Sequence, residues 1–549
     1  MTASFAMVLM IAFVATLTVA LATAAEAKEC SRFVTAEMRA NAVRNAERFE
    51  WVRREQEEAA SRADPWVQLP DVALWDMVTS QELPRSQIFT SGVLYEGQRP
   101  RCPSCGDGIL PYGNDPWRYD NREAPWKVRC PSCRELYPKN DFEAFYRTAL
   151  DEHGMFRRAL GDRTLLFNAD HPDPDDPHHR VYVDDGYGMV DEKGQRYHPV
   201  ACYNNHAQWR TVLNGLTTLA RAYTLTDDRV YAHKAAVLLD RIADVYPEMD
   251  YLPLHEMGFQ HSQGGTGRGR IHGCIAECSM GAYSAETYDL IYDGIQDDAE
   301  LVAFCSDRAR QFKLTDKSSV SAICAHIEDN LLLEMLGSVK EGQISGNTGA
   351  THVCLAQAAI ALDRGDTTLD WLDWLFDPGF PGDIGRYRDP VPWVLVEGLD
   401  RDGMGGECGG YGLIWKGRMI ELAEILASYP EYTRHSMVAD YPKFRQCFSV
   451  EPRLLCLDAA IPHIGDCGCA GAWGGIWQND PPAHRISARD FVRGYKLYRD
   501  PELANQAWHY ARGKLTSLRL SEDIFERDPG ALAEEIADAV TPEPFRLKS

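Results

Sequence analysis

Basic side chains are scarce in this 549-residue chain, where 57 Lys and Arg stand against 81 Asp and Glu for a formal charge of −24. That balance excludes non-specific binding to a nucleic-acid backbone or an anionic membrane, since both need basic surface. An acidic polymer can bind only through a local basic cleft. Long apolar runs are also missing: beyond residue 27 no segment reaches the roughly 18 uninterrupted apolar residues of a membrane span. Gly and Pro are absent from residues 31–62, which predicts one polar helix there. Alternating strand patterns are absent after Gly475, and helical ones continue to about residue 540.

What is present begins with "MTASFAMVLMIAFVATLTVALATAAEA". A mostly apolar stretch from Phe5 to Val19 leads to small residues ending Ala25-Glu26-Ala27, the pattern of a signal-peptide cleavage site, although no Lys or Arg precedes it. Residues 1–27 are therefore expected to direct secretion or periplasmic export. A helical segment is expected over 28–100.

Cysteine is plentiful, at 16 residues, and four of them form a pattern. Cys102-x2-Cys105 and Cys130-x2-Cys133, each "CPSC", are separated by 24 residues. Two such knuckles offer four thiolates to one tetrahedral Zn²⁺, and a four-cysteine site leaves no open position, so its role is structural. Two disulfides in an exported chain are the alternative. Residues 101–145 are thus expected as a zinc-ribbon-like module. Of the other cysteines, Cys324 and Cys354 lie on apolar helical faces, where buried thiols are common.

Residues 146–200 are rich in Asp, Pro and Gly and read as loops with a hairpin. Their cluster His171, Asp173, Asp175, Asp176, His178 and His179 reads as a solvated turn rather than a metal site. From residue 201 the apolar period becomes helical, as in "QWRTVLNGLTTLARAYTLTDDRVYAHKAAVLLDRIADVYP", two blocks joined by a short polar break. Such blocks recur to residue 540, at least ten helices in hairpins, with a tail over 541–549. The fold class expected is mainly α, an incomplete toroid of antiparallel helix pairs carrying the small four-cysteine module.

Loops between the pairs concentrate polar and aromatic residues: "HPVACYNNHAQWR", "HEMGFQHSQGGTGRGRIHG", "EGQISGNTGATHV", "DGMGGECGGYG" and "IPHIGDCGCAGAWGG". The fourth is crowded with glycine around Glu407 and Tyr411, a run poorly suited to a helix interior. It is expected as a loop whose glycines let the backbone approach a sugar.

The order of these stretches, over residues 200–470, resembles the heparinase II/III and oligoalginate-lyase group of polysaccharide lyases. The "CPSC" pair ending "YPKNDF" is similar to a zinc-ribbon insertion in bacterial members. The resemblance implies an α/α toroid, usually followed by a β-sandwich, and cleavage of uronic-acid glycans by β-elimination. It assigns Tyr411 as general acid and base and Asn347 as the group that neutralises the substrate carboxylate. Thr348 stands where alginate-lyase relatives place a histidine base. His206 and His272 are the expected alternatives for that base, and Glu407 an orienting or hydroxyl-binding residue. His352, poorly placed as base, joins Arg268, Arg270 and Trp209 as expected substrate-binding residues. Lys416 is expected to add to the positive field, and Trp393, Trp473 and Trp477 to stack on sugars. His463 and Asp466 do not replace what the sandwich supplies. With no strands for that domain, altered activity is expected of this chain alone. A uronyl epimerase, a toroid glycoside hydrolase and a non-catalytic glycan-binding protein are the alternatives.

Overall fold

A computed structural model describes residues 28–90, 101–113, 116–121, 123–261, 266–379, 389–406, 410–454 and 486–541. The export segment, Glu407, His463, Asp466, Trp473 and Trp477 lie outside the described residues. The protein is mainly helical, with five short strands among the described residues.

The polar stretch after residue 31 forms two helices rather than one, Ala36–Arg48 and Glu50–Val67. Thr35 starts the first by accepting from the Met38 amide. The break falls at Phe49, whose backbone is extended and whose amide closes the first helix on the Asn45 carbonyl. Phe49 packs against a small core of Val34, Ala42, Ala46, Val52, Ile524 and Phe525. Burial of that ring, worth about 2 kcal/mol, outweighs the local preference to continue a helix.

The four-cysteine module is a three-stranded antiparallel sheet, β1 (Arg118–Asp120), β2 (Ala124–Arg129) and β3 (Leu136–Tyr137) in the order β1-β2-β3. The helix Phe142–Thr148 follows it, capped by the Asp141 carboxylate. The hairpin expected between 146 and 200 is a pair of two-residue strands, Met189–Val190 and Arg196–Tyr197. Most of the chain beyond it is helical, built on one core that runs from Ala63 to Ile536.

Four helices in that core, Arg210–Thr226, Cys274–Ile291, Ala350–Leu362 and Gly410–Ala427, lie side by side and run in one direction. Arg210 acts electrostatically on His272, and Glu286 acts on Arg221 a few turns further along. Cys278 Sγ lies 3.8 Å from Thr351 Oγ1, and a Cβ on Gly281 would stand 2.8 Å from Cys354 Sγ. Gly349 backs onto Arg418, while Tyr429 donates to Asp363 at 2.9 Å. Each pairing advances along both helices together, so all four N-terminal ends lie on one side. Helices such as Arg229–Val245 and Ala299–Gln311 return the chain between them.

One ion-paired histidine ties this returning layer down. His233 Nδ1 lies 2.8 Å from an Asp298 oxygen, and its Nε2 lies 3.2 Å from an Asp71 oxygen. Burial opposes the imidazolium, yet the hydrogen bonds and charges of Asp298 and Asp71 outweigh it and raise His233 to about 9. The folded value lies above the ordinary 6.5, so this stabilisation is complete below 6.5 and is lost as pH rises through about 9. The melting temperature of the wild type is expected to fall across that window. His233→Gln, already less stable below it, should show a shallower fall, and equal slopes would contradict the assignment.

Candidate functional site

The polar stretches of the sequence precede, or open, these four N-terminal ends. The first, Asn204–Trp209, is a π-helical turn running straight into the Arg210 helix. Such bulges are often found at functional sites because the widened turn redirects side chains. Asn204 holds the turn by donating to the Leu83 and Pro84 carbonyls and accepting from Thr79 at 2.7 Å. His206 Nε2 lies 3.1 Å from the Gln87 carbonyl, and its ring stacks on Tyr119 of β1 at 5.3 Å.

The second stretch brings His272 and His261 together, their ring centres 4.8 Å apart. The His272 amide donates to Glu277 at 2.7 Å, and Tyr246 donates its hydroxyl to the same carboxylate at 3.2 Å. Burial raises Glu277 to about 7 against the lowering effect of these bonds and of Arg270 and Arg85. Arg85 is fully buried and, among the described residues, bonds only neutral oxygens, with its Nε 2.8 Å from the Ile271 carbonyl. Tyr251 donates to the Arg85 carbonyl at 2.9 Å and fixes that strand of chain.

These cations and burial set the state of the histidines. Burial, then His206, Arg210 and Arg85, lower His261 to about 3. Burial, then His261, Arg85, Arg210 and His206, hold His272 well below its usual range. Both imidazoles are therefore neutral at physiological pH, and their buried, positive surroundings make them weak bases. A bound carboxylate would raise their basicity by offsetting the positive field.

The third stretch places Asn347 in the turn before the Ala350 helix, its carbonyl accepting from the Ala350 amide at 2.9 Å. Its side-chain amide caps nothing: the N-cap position is Gly349, and no side chain bonds there. Asn347 is half-buried, and its amide is without a hydrogen bond among the described residues. Thr348 is buried, with its hydroxyl unpartnered. Gly349 has φ +89°, and a Cβ on it would stand 2.3 Å from the Arg418 Cβ. Gly349→Ala is therefore expected to destabilise the fold by about 2 kcal/mol, from the strained backbone and the clash together. A denaturant midpoint unchanged from the wild type would contradict this.

The fourth stretch ends in Tyr411, half-buried in the first turn of the Gly410 helix. Arg418, which Gly349 meets, lies seven residues on, about 10 Å along the axis. Two glycines before Tyr411 are required by protein packing, while a Cβ on Gly406 would meet nothing within 4 Å. At Gly403, φ +89°, a Cβ would stand 2.5 Å from the Cys447 amide nitrogen, and at Gly405 it would stand 3.0 Å from the Gly412 Cα.

Several expected site residues are placed elsewhere. Trp209 is fully buried and donates its ring N–H to Thr79 at 2.9 Å, so it offers no sugar platform. Arg270 is buried between Ser338, Glu334 and the Tyr246 carbonyl. Lys416 is buried in a pair of 2.5 Å contacts with Glu451 and Asp490. His352 is buried with Nε2 2.8 Å from the Asp389 carbonyl, and burial lowers it to about 4. Arg268 remains exposed, one nitrogen 3.3 Å from the Glu341 carbonyl, and Trp393 is 40% exposed. Arg85, Arg210 and His261 were not singled out by sequence. His261 lay in a quoted loop, but Arg85, in "ELPRSQ", carried no signal.

The four knuckle cysteines converge, with all Sγ atoms within 4.8 Å of one another. Cys102 and Cys133 sulfurs are 3.6 Å apart, and those of Cys105 and Cys130 are 3.8 Å apart. A tetrahedral metal with bonds of about 2.3 Å requires sulfur–sulfur edges of about 3.8 Å, so the set fits a structural metal. Disulfides need about 2.05 Å and are excluded at these spacings. In both knuckles the residue after the second cysteine turns left-handed, Gly106 at φ 55° and Arg134 at φ 68°. The module rests on the His206 turn: Trp126 meets Tyr203 at 5.2 Å, and Asn121 donates to the Ala207 carbonyl at 3.2 Å.

No protein-family model matches the chain, and no curated protein matches it in sequence.

Proposed function

We propose that the chain is the α/α-toroid part of an exported polysaccharide lyase that cleaves a uronic-acid glycan by β-elimination. One observation carries the reading. Asn347, Tyr411, His206 and His272 all stand at the N-terminal ends of four co-directional helices, and Arg85, Arg210 and His261 act electrostatically on His272. In this reading Arg85, Arg210 and Arg268 supply the local positive charge that an acidic chain needs to take an acidic polymer. Helix N-termini add partial positive charge on the same side.

Removing the C5 proton of a uronate requires the adjacent carboxylate to be neutralised, so that the enolate-like intermediate is stabilised. In this reading the Asn347 amide donates to that carboxylate, with Arg210 and Arg268 supplying charge at the mouth. A histidine, His206, His261 or His272, or else Tyr411, takes the proton. The Tyr411 phenol protonates the departing glycosidic oxygen. Glu407, in the same stretch as Tyr411, is proposed to bind substrate hydroxyls. The structural metal is proposed to be zinc, which four thiolates favour over harder cations.

Mass spectrometry of products formed in ¹⁸O-labelled water tests the reaction class. Elimination gives products lighter by one water than hydrolytic ones, with no label taken up. Labelled, hydrated products would replace this reading with hydrolysis.

A further inference from the structure

A cavity of about 290 Å³ lies between the metal module and the helical body, on the Gln208 and Tyr203 side of the π-helical turn. It is at the small end of the range for small-molecule sites, about 300–1,000 Å³. Its walls are aromatic. Trp126 of β2 stacks on Tyr146 with ring centres 5.2 Å apart, and the Arg241 guanidinium carbon lies 3.8 Å from the Trp75 ring centre.

Three polar groups line this cavity without a hydrogen bond among the described residues: the Asp76 carboxylate, the Gln208 amide and the Tyr146 hydroxyl. Gln208 is nine-tenths buried, so its unused amide is costly unless a ligand or water meets it. The other charges in the wall are already engaged. Arg147 pairs with Glu143 at 2.8 Å, and Arg241 bonds the Gly154 carbonyl at 2.7 Å and Asp244 at 3.5 Å. Asp76 is left as a lone acid, and burial pushes it up against the lowering effect of Arg147, Arg308 and Arg241. Trp126 is also held at φ 59°, an outlying conformation for a bulky residue, costing about 1–3 kcal/mol. Such strain is characteristic of ligand-holding positions.

We infer that this cavity binds one uncharged sugar residue, with Asp76, Gln208 and the Tyr146 hydroxyl bonding its hydroxyls. A carboxylate can accept from two neighbouring hydroxyls, and an amide and a phenol can each both donate and accept, the set that a polyol ring needs. The unpaired Asp76 disfavours a uronate here, so the site differs in its chemistry from the proposed cleft. It would hold a neutral unit or branch of the glycan.

Saturation-transfer NMR with D-glucose, D-galactose, D-mannose and N-acetylglucosamine on the full chain tests this. At least one sugar is expected to bind saturably. Asp76→Asn and Tyr146→Phe, which keep the shape of the walls, are each expected to weaken it about tenfold with an unchanged circular-dichroism spectrum. No saturable binding of any of the four, or binding indifferent to both substitutions, would overturn the inference. The readout involves no turnover, so its failure is separable from failure of the elimination reading.

Discussion

Tyr411→Phe is expected to lower kcat/KM on the cleaved glycan by about 10²–10⁴-fold, the range that a positioned proton donor contributes. KM should change little, because the lost interaction belongs to the transition state. The phenol stands in the first turn of a helix whose N-terminal end faces the same side as Asn347 and the histidines. Phenylalanine keeps the ring in that half-buried place and removes only the hydroxyl. Asn347→Ala offers the contrast, since its amide caps no helix and its loss costs the fold little. It should lower kcat through the uncompensated carboxylate while leaving the melting temperature close to that of the wild type. A Tyr411→Phe enzyme with wild-type kcat would remove the tyrosine from the mechanism.

Cys130→Ser is expected to abolish stoichiometric metal binding and to lower activity through His206. Structural zinc in small modules contributes about 10–16 kcal/mol to folding, far more than a three-stranded sheet with a two-residue edge strand can supply alone. Losing the metal therefore unfolds the module. With it go the Tyr119 ring that backs His206 and the Asn121 bond to the Ala207 carbonyl. The helical body has its own core and should stay folded. Metal analysis should give one ion per wild-type chain and none in the variant, with a loss of activity of at least about tenfold. Full activity in a metal-free variant would show that the module does not position the site.

How much of this was legible before folding depends on the range of the interaction. The metal module is a local pattern, two knuckles of fixed spacing, and its sulfurs meet as the spacing implies. The polar stretches were also visible, because helical periodicity stops where they begin. Exposure was not legible. Trp209, Arg270, Lys416 and His352 have the chemistry of a sugar-binding or acid-binding site, yet each is buried against a partner distant in sequence, such as Thr79, Glu334, Asp490 or Asp389. Arg85 shows the converse. Nothing around it suggests a site, and only the fold threads it between the His206 turn and the His272 loop. The glycine run was expected as a loop, yet its later glycines, from Gly410, open a helix, and the close approach that requires Gly403, to the 446–447 backbone, is a long-range contact. The break at Phe49 has the same origin, a distant core at Ile524 and Phe525 overriding local helix preference.

The central claim is elimination at a uronate, and it forms a bond whose signal no rival reaction produces: the conjugated C4–C5 double bond. The most direct measurement follows its ultraviolet absorbance as the full chain acts on alginate, heparan sulfate, chondroitin and ulvan. Growth of that absorbance on at least one polymer, lost in Tyr411→Phe, is the predicted result. Polymer shortening without it, or binding to all four with neither shortening nor absorbance, would contradict the account.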